Sequence, residues 1–291
     1  MKTEIGIDLT TAVGHLTKGE LVAIPTETVY GLAANALNED AVLKIYAAKN
    51  RPQFNPLILH VATFEQAKQF INTIPAEAEQ LAAAFWPGPL TMLFNKQLNV
   101  PDLVTAGSKR VAIRVPNHLL TLQLLSQLDF PVAAPSANPS GYVSPTTAQH
   151  VYEGLHNKIP YILDGGACGV GVESTIVGWN DEGEIELYRL GGIAVEQIEA
   201  VIGKKIKHHK KITDNPSAPG QLKSHYATHT ALYLGKIDEL LPTFIDKKIV
   251  VINFKQFHPG ISNEHQLILS VNGSTGEAAK NLFRILREAD G

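Results

Sequence analysis

Apolar runs recur along the first two thirds of the chain, and segments with helical periodicity lie between many of them. Turn-forming residues follow most of these runs, which is typical of strand ends. The strands predicted in this way cover residues 21–24, 57–61, 90–94, 111–115, 132–134, 161–163, 175–179 and 185–190. Because strands and helices do not alternate strictly, the pattern predicts an α/β domain with a twisted, mixed sheet.

The helix predictions depend on caps and breakers. Asn38 is a suitable N-cap, Thr63 and Gln66 fit a capping box, and Ser144 before Pro145 resembles another helix start. The helices predicted from these signals and from apolar spacing cover residues 38–48, 63–70, 75–85, 117–128, 144–154 and 195–202.

The composition changes after residue 203. Residues 204–211 are basic and the following stretch is rich in polar and turn-forming residues, so 204–229 is predicted to be a linker. Strands at 231–234, 249–254 and 266–271 and a helix at 276–288 then predict a second, smaller α/β domain over 230–291. A parallel sheet would ordinarily continue after such a helix, so we expect this domain to be truncated.

Charge and cysteine usage limit the function classes. The net charge is −3, which argues against a general polyanion binder, and no apolar run approaches the length of a membrane span. The start of the sequence lacks the apolar region of a signal peptide. Cys168 is the single cysteine, which excludes an internal disulfide and a multi-cysteine zinc site. We therefore expect a soluble cytoplasmic protein with no membrane partner.

Two cations mark the end of the first long predicted helix. Lys49 and Arg51 are followed by Pro52 and Pro56, which stiffen the connection to the next strand. This arrangement suits an anion such as a phosphate. A solvated helix C-terminus also favours cations, so the two residues alone leave both interpretations open.

Three loops of small polar residues accompany the predicted strands: PTETVYGLAA at 25–34, PSANPSG at 135–141 and GVEST at 171–175. Loops of this kind supply hydroxyl and backbone donors to ligands, although each one alone also fits an ordinary turn. The sequence contains neither a P-loop, GxGxxG, HExxH nor GxSxG motif, so the standard nucleotide, metalloprotease and serine-hydrolase signatures do not apply.

The motifs PTETVYGLAA, KNRPQFNPLILHV, WPGPLT, VAIRVPNH, APSANPSGYVSPT, GVESTIV and YRLGGI occur in this order across residues 21–193. Together they resemble the YrdC/Sua5 family of threonylcarbamoyl-AMP synthases. The stretch SAPGQLKSHYA and the segment after it resemble the two-domain Sua5 subtype, although SAPGQL departs from the Ser-Pro-Gly-Met-type run expected there. The resemblance implies a YrdC-like catalytic domain at 1–203, a linker or lid at 204–229 and a Rossmann-like Sua5-type domain at 230–291.

The resemblance also implies a reaction. The enzyme is expected to be a nucleotidyltransferase that forms threonylcarbamoyl-AMP and pyrophosphate from L-threonine, bicarbonate or CO2, and ATP. Mg²⁺ is expected as cofactor, held mainly by the ATP phosphates, with no dedicated metal site in the protein. The product is expected to pass to the machinery that makes the t6A modification of tRNA, for which contact between this chain and tRNA is possible but not required.

Site residues follow from matching positions in the family. The implied catalytic set is Lys49, Arg51, Ser136 and Asn138; the implied threonine-binding set is Thr28, His60, Arg114, Ala134 and Ser174; the implied ATP-binding set is Arg51, Asn55, Ser136, Ser144, Arg189 and Tyr226. Without the family, the favoured interpretation of His60 is a core histidine, and Arg114 also fits an outward-facing strand residue.

The linker residues 214–229 have no apolar periodicity but contain Tyr226. We predict that they form a lid over the cleft, turning at Pro216, Pro219 and Gly220, which would protect an adenylate from water. Two other functions stay open on the sequence. One is a non-catalytic RNA-binding module, and the other is carbamoyl transfer from carbamoyl phosphate.

Overall fold

The computed structural model describes residues 2–209 and 226–291. The strands in these residues are β1 (Glu4–Gly6), β2 (Val22–Ile24), β3 (Gly31–Asn35), β4 (Ile58–His60), β5 (Leu90–Asn95), β6 (Arg110–Arg114), β7 (Val132–Ala133), β8 (Tyr161–Leu163), β9 (Thr175–Trp179), β10 (Ile185–Arg189), β11 (Lys207–His208), β12 (Val251–Asn253) and β13 (Gln266–Ile268). Within the described residues, the first eleven strands form one sheet in the order β1-β8-β2-β3-β7-β4-β6-β5-β9-β10-β11.

The sheet is mixed. The pairs β1/β8, β2/β8, β4/β6, β5/β9 and β10/β11 are parallel, whereas β2/β3, β3/β7, β4/β7, β5/β6 and β9/β10 are antiparallel. This confirms the predicted α/β class with a twisted mixed sheet. The central pair β4/β6 aligns His60 with Arg114 at the carboxyl ends of two parallel strands. In α/β sheets this edge is where ligands usually bind.

The helices are α1 (Leu9–Thr17), α2 (Glu39–Lys49), α3 (Phe64–Lys68), α4 (Ala76–Phe85), α5 (Asp102–Thr105), α6 (Leu119–Ser126), α7 (Ala148–Leu155), α8 (Val195–Ile202), α9 (Ile237–Leu240) and α10 (Thr275–Asp290), with short 3₁₀ turns at Leu241–Phe244 and Asn263–His265. Asn38 and Thr63 cap α2 and α3 as predicted, each accepting a hydrogen bond from the backbone N–H three residues later. Within the described part of the chain, no helix is long and apolar enough to cross a membrane.

The predicted helix start at Ser144 is wrong. Helix α7 begins at Ala148, and Thr147 caps it by accepting a hydrogen bond of 3.2 Å from the His150 N–H. The Ser144 hydroxyl instead donates to Glu173 Oε1 at 2.5 Å, so its side chain faces another loop. Both Ser144 and Thr147 are good caps by residue type, and a tertiary contact decides between them.

Three elements near the N-terminus were not predicted, namely β1, α1 and β3. Strand β3 begins at Gly31, inside the segment interpreted as a loop, and pairs with β2 and β7. A side chain at Gly31 would meet the Cβ of Ala134 at 3.2 Å, so this glycine permits close packing of β3 against the loop that follows β7.

The second unit has a two-stranded parallel sheet, β12/β13, and the amphipathic helix α10. The strand predicted at 231–234 is wrong, because these residues are exposed and have no strand structure.

At one edge of the large sheet, β11 pairs with β10, so residues assigned to the linker add a strand to the first unit.

Helix α10 packs against the first unit at the loop before α7. Arg287 donates to the backbone carbonyls of Val143 at 2.5 Å and Ser144 at 3.4 Å, and Tyr142 donates its hydroxyl to Asp290 at 2.9 Å. The packing is so close that a Cβ on Gly171 would lie 2.3 Å from the Lys280 carbonyl oxygen. The predicted loop 171–175 and the residues directly after the predicted loop 135–141 therefore border this helix.

The main core lies between the sheet and helices that include α2 and α4. Ile45 on α2 is fully buried there, whereas Leu43 on the same helix is 41% exposed. We expect Ile45→Ala to lower the free energy of unfolding by about 2–5 kcal/mol, because it removes buried methyl groups and leaves a cavity.

Leu43→Ala is the matched control for this prediction, and it should change the free energy of unfolding by less than about 0.5 kcal/mol. Urea denaturation of both variants measures the difference. Equal effects of the two substitutions would contradict the described placement of α2.

Candidate active site

A cleft of about 50 Å³ lies over the carboxyl ends of β4 and β6. Three arginines, one glutamate, several hydroxyl groups and one imidazole line it, together with apolar and backbone atoms. The lining residues are Thr26, Thr28, Val29, Gly31, Arg51, Ile58, His60, Arg114, Ala134, Pro135, Ser136, Glu173, Ser174 and Arg189. The three predicted loops supply eight of these residues, so the fold brings together segments that are distant in sequence.

Lys49 lies behind the cleft wall rather than on it. Its ammonium donates to the Ser136 carbonyl at 2.5 Å and to the Asn138 carbonyl, and the side chain is 1% exposed. Burial lowers the pKa of Lys49 well below its usual value, and the charge of Arg51 lowers it further. Lys49 therefore fixes the loop 135–141 onto the end of α2.

Arg51 reaches the cleft because Asn50 ends α2 in the left-handed conformation, with φ of 51°. The guanidinium donates to the carbonyls of Asn55 at 3.2 Å and Pro56 at 2.9 Å. Burial lowers the pKa of Arg51 to about 10, so the group still carries its charge at neutral pH. Asn55 is buried, and its Oδ1 has no hydrogen-bond partner within the described residues.

The loop after β7 places Ser136 on the cleft and Asn138 behind it. The Asn138 amide donates to the carbonyls of Pro139 and Tyr142 at 2.8 Å each, which closes the loop on itself. Asn138 Oδ1 is buried without a hydrogen-bond partner in the described parts of the chain. Asn138 and Lys49 thus shape the loop that presents Ser136.

Arg114 is buried, which contradicts its interpretation as an outward-facing strand residue. Its guanidinium donates to Thr28 Oγ1 at 2.9 Å and to the Gly88 carbonyl at 3.2 Å. The remaining nitrogen lies 2.6 Å from Glu27 Oε2, with the two side chains 5% and 10% exposed. This contact is a buried ion pair and not a well-aligned hydrogen bond. Glu27 therefore neutralises and orients the arginine.

His60 is buried beside Arg114. Burial lowers the pKa of His60 to about 3, and the positive charge of Arg114 acts in the same direction. The ring is therefore neutral near pH 7. Its Nδ1 lies 3.2 Å from the Ile58 carbonyl and donates to it, which leaves Nε2 as a hydrogen-bond acceptor.

Ser174 joins the third loop to β5 and β10. Its hydroxyl lies 2.7 Å from the Thr91 hydroxyl, and Arg189 donates to the Ser174 carbonyl at 2.9 Å and to the Ser174 hydroxyl at 3.0 Å. Burial lowers the pKa of Arg189, and the Glu173 charge opposes that effect. Arg189 thus lines the cleft and is held by the carbonyl and the hydroxyl of Ser174.

Tyr226 lies near the cleft beside Glu173 and packs on Phe283 of α10, with 5.1 Å between ring centroids. Burial and, next, the charge of Glu173 raise the pKa of Tyr226. Residues 210–225, which carry most of the predicted lid including Pro216, Pro219 and Gly220, lie outside the described residues.

The predicted site residues fall into two groups. Thr28, Arg51, His60, Arg114, Ala134, Ser136, Ser174 and Arg189 line the cleft, whereas Lys49, Asn55, Asn138, Ser144 and Tyr226 do not. Sequence reasoning missed Glu27 and Glu173. Both belong to motifs that were quoted for their hydroxyl groups, so a carboxylate next to a hydroxyl residue was the signal available.

Cys168 is buried near the cleft but is not on it. Burial raises the pKa of the thiol to about 12, so it is protonated at neutral pH. Neither the geometry nor the electrostatics gives Cys168 the features of a nucleophile.

The comparisons with known proteins agree with one another. A family model described as telomere recombination, Sua5/YciO/YrdC, matches residues 15–191, and one described as threonylcarbamoyl-AMP synthase, C-terminal domain, matches residues 193–291. The threonylcarbamoyl-AMP synthase of Pyrococcus abyssi is 42% identical over 96% of this chain and 84% of the relative. That of Bacillus subtilis is 49% identical over 74% of this chain and 63% of the relative.

A solved structure extends this similarity to three dimensions. The crystal structure of Pyrococcus abyssi Sua5 complexed with L-threonine matches with a TM-score of 0.88 at 42% identity, covering 97% of this chain and 85% of that one. The similarity therefore includes both units of the chain.

The low pKa of His60 predicts a pH dependence of stability. Between the folded value of about 3 and the ordinary value near 6.5, only the unfolded state binds the proton, so stability should rise with pH across this window. His60→Asn should reduce that rise, which urea denaturation between pH 4 and pH 7 would measure.

His150 contributes in the same direction, because burial lowers its pKa to about 4, so part of the rise should persist in His60→Asn. His156→Asn on the exposed surface serves as control and should leave the wild-type profile unchanged. An identical pH profile in His60→Asn and wild type would show that His60 is not buried as described.

Proposed function

Because the chain belongs to the Sua5/YciO/YrdC family, we propose that it is a threonylcarbamoyl-AMP synthase, a nucleotidyltransferase that uses L-threonine, bicarbonate or CO2, and ATP. The observation that carries this proposal is the convergence of Arg51, Arg114 and Arg189 with hydroxyl groups on one cleft. With bicarbonate as donor, the products are threonylcarbamoyl-AMP, pyrophosphate and water.

The three arginines fit this chemistry because the reacting partners repel one another. The threonine amine first takes up the carboxyl carbon to form a carbamate, which is an anion. A carbamate oxygen then attacks the α-phosphorus of ATP, and the bond to pyrophosphate breaks. Guanidinium groups hold carboxylates and phosphates in defined geometry, so positioning and charge stabilisation supply the catalysis and no side-chain nucleophile is needed.

We assign the threonine end to Thr28, His60, Arg114, Ala134 and Ser174. Arg114 is the cation at this end, and its ion pair with Glu27 fixes its orientation before substrate arrives. His60 is neutral and offers Nε2 as an acceptor for a donor group of the substrate. A neutral acceptor suits an amine that must itself be uncharged to attack the carbon donor.

We assign the nucleotide end to Arg51, Asn55, Ser136, Ser144, Arg189 and Tyr226. Arg51 and Arg189 line the cleft and face the phosphates in this assignment. Lys49 and Asn138 act through Ser136, whose loop they hold in place. The unpartnered Oδ1 atom of Asn55 is an acceptor for a hydroxyl or amino group of the nucleotide in this assignment.

Mg²⁺ is the proposed cofactor, and the residues fit an ion held mainly by phosphate. No group of three His, Cys, Asp or Glu residues in the described residues is placed to hold a metal, and Glu173 is the one carboxylate among the described cleft-lining residues. Magnesium commonly binds through one or two carboxylates plus substrate phosphates. When bound, it would neutralise charge on the phosphates.

The remaining assignments concern the setting of the reaction. We place the enzyme in the cytoplasm, with its product used by the t6A-forming transferase machinery and with no need for tRNA contact. The segment 214–229 is assigned as a lid, supported by the position of Tyr226 beside Glu173. The domain limits 1–203, 204–229 and 230–291 are part of the same proposal, although β11 adds the linker residues Lys207 and His208 to the sheet of the first unit.

The reaction predicts that pyrophosphate release requires threonine and bicarbonate together, since the carbamate is the attacking group. Omitting either one, with CO2 rigorously excluded in the second case, should reduce release to background. A coupled pyrophosphate assay measures this. Unchanged release without threonine would contradict the proposal, and a non-catalytic RNA-binding module would release none under any condition.

Loss of the Arg51 charge should weaken turnover of ATP. Arg51→Gln is expected to lower kcat/KM for ATP by about 10- to 150-fold, the equivalent of about 1.5–3 kcal/mol for a charge-assisted contact. Arg110→Gln is the matched control, because Arg110 pairs with Asp181 and Tyr188 away from the cleft. Equal kinetics of the two variants would remove Arg51 from the nucleotide site.

A further inference from the structure

Glu173 is a carboxylate in a cleft proposed to bind anions. It lies in the loop before β9, and its backbone carbonyl accepts a hydrogen bond of 2.8 Å from the Gly192 N–H. Gly191 supports the same loop so closely that a Cβ there would lie 2.4 Å from the Glu173 carbonyl oxygen. The backbone is therefore fixed while the side chain lines the cleft.

Three neighbours of Glu173 belong to the proposed nucleotide end, namely Ser144, Arg189 and Tyr226. Its Oε1 accepts the Ser144 hydroxyl at 2.5 Å. Its charge acts on Lys49, on Arg189 and on the Tyr226 phenol. A triphosphate bound by these groups would therefore come close to the carboxylate.

Two anions in such a position repel each other, and partial burial strengthens the repulsion because water screens it less. A cation that lies between the carboxylate and the phosphates would offset this repulsion. The nearby arginines already face the cleft as phosphate partners, so a divalent ion carried by the nucleotide is the suitable cation.

The oxygen atoms of Glu173 and Ser144 are also suitable ligands for a divalent cation. Glu173 and Ser144 present a carboxylate oxygen and a hydroxyl oxygen in contact with each other. Both are hard oxygen ligands of the kind that Mg²⁺ prefers, and nucleotide-binding proteins of other folds combine a serine or threonine hydroxyl with a carboxylate at Mg²⁺.

From this geometry we propose that Glu173, with the Ser144 hydroxyl beside it, is the protein ligand of the divalent cation that accompanies ATP. The inference rests on the proposed function, and it assigns Glu173 to metal recognition within the same cleft. The loop fixed by Gly191 and Gly192 then sets the position of the metal relative to Arg51 and Arg189.

Calorimetric titration of ATP into the full chain, in the absence of threonine and bicarbonate, tests this without turnover. Wild type should bind ATP more tightly in excess Mg²⁺ than in EDTA. Glu173→Gln should lose about 10-fold or more of this gain, a loss of the size known for groups that hold or orient a metal ligand. In EDTA the variant should bind ATP as well as wild type or better, since the repulsion is gone.

Two further variants separate a metal role from a structural one. Glu184→Gln, an exposed residue outside the cleft that pairs with Lys207, should behave as wild type. Ser144→Ala should show the same metal-dependent loss as Glu173→Gln but smaller. Electron paramagnetic resonance of Mn²⁺ with ATP gives an independent readout, because Glu173→Gln should retain less enzyme-bound Mn²⁺ than wild type.

Equal loss of ATP affinity in Mg²⁺ and in EDTA, or unchanged Mn²⁺ retention in Glu173→Gln, would overturn the assignment and leave the proposed function standing. Failure of the wild-type protein to bind ATP with or without metal would instead overturn the proposed function, and this inference with it.

Discussion

The hydrogen bonds of the buried Lys49 ammonium are the interaction on which the cleft depends. They join the last residue of α2 to the carbonyls of Ser136 and Asn138, which belong to a loop almost ninety residues later. A buried amine without such partners would be strongly unfavourable, so the loop and the helix end stabilise each other. Ser136 on one side and Arg51 on the other then face the same space.

A buried ion pair fixes the opposite end of the cleft. Arg114 at the end of β6 needs a counter-charge in this environment, and Glu27 from the loop after β2 provides it. Between the two ends, Arg189 is held by Ser174 from the third loop. Each of the three loops therefore contributes one element of a cationic cleft whose geometry is largely set before any anion binds, which is the condition for electrostatic preorganisation.

The sequence predicted much of this arrangement and failed in specific ways. Apolar runs located the strands of the large sheet, but β3 was missed because its small residues resemble a loop. Family motifs located Arg51, Arg114 and Ser174. They did not indicate that Lys49 lies behind the cleft, nor that Glu27 and Glu173 have partners far along the chain. Side-chain partners across distant loops depend on tertiary packing, which local patterns do not encode.

The central claim is that one cleft joins threonine, a one-carbon donor and the adenylyl group of ATP. The most direct test is mass spectrometry of the products formed by the full chain from ATP, L-threonine and ¹³C-bicarbonate. The account predicts threonylcarbamoyl-AMP that carries a single ¹³C atom, together with pyrophosphate. Absence of this product, or formation of an adenylate without the label, would contradict it.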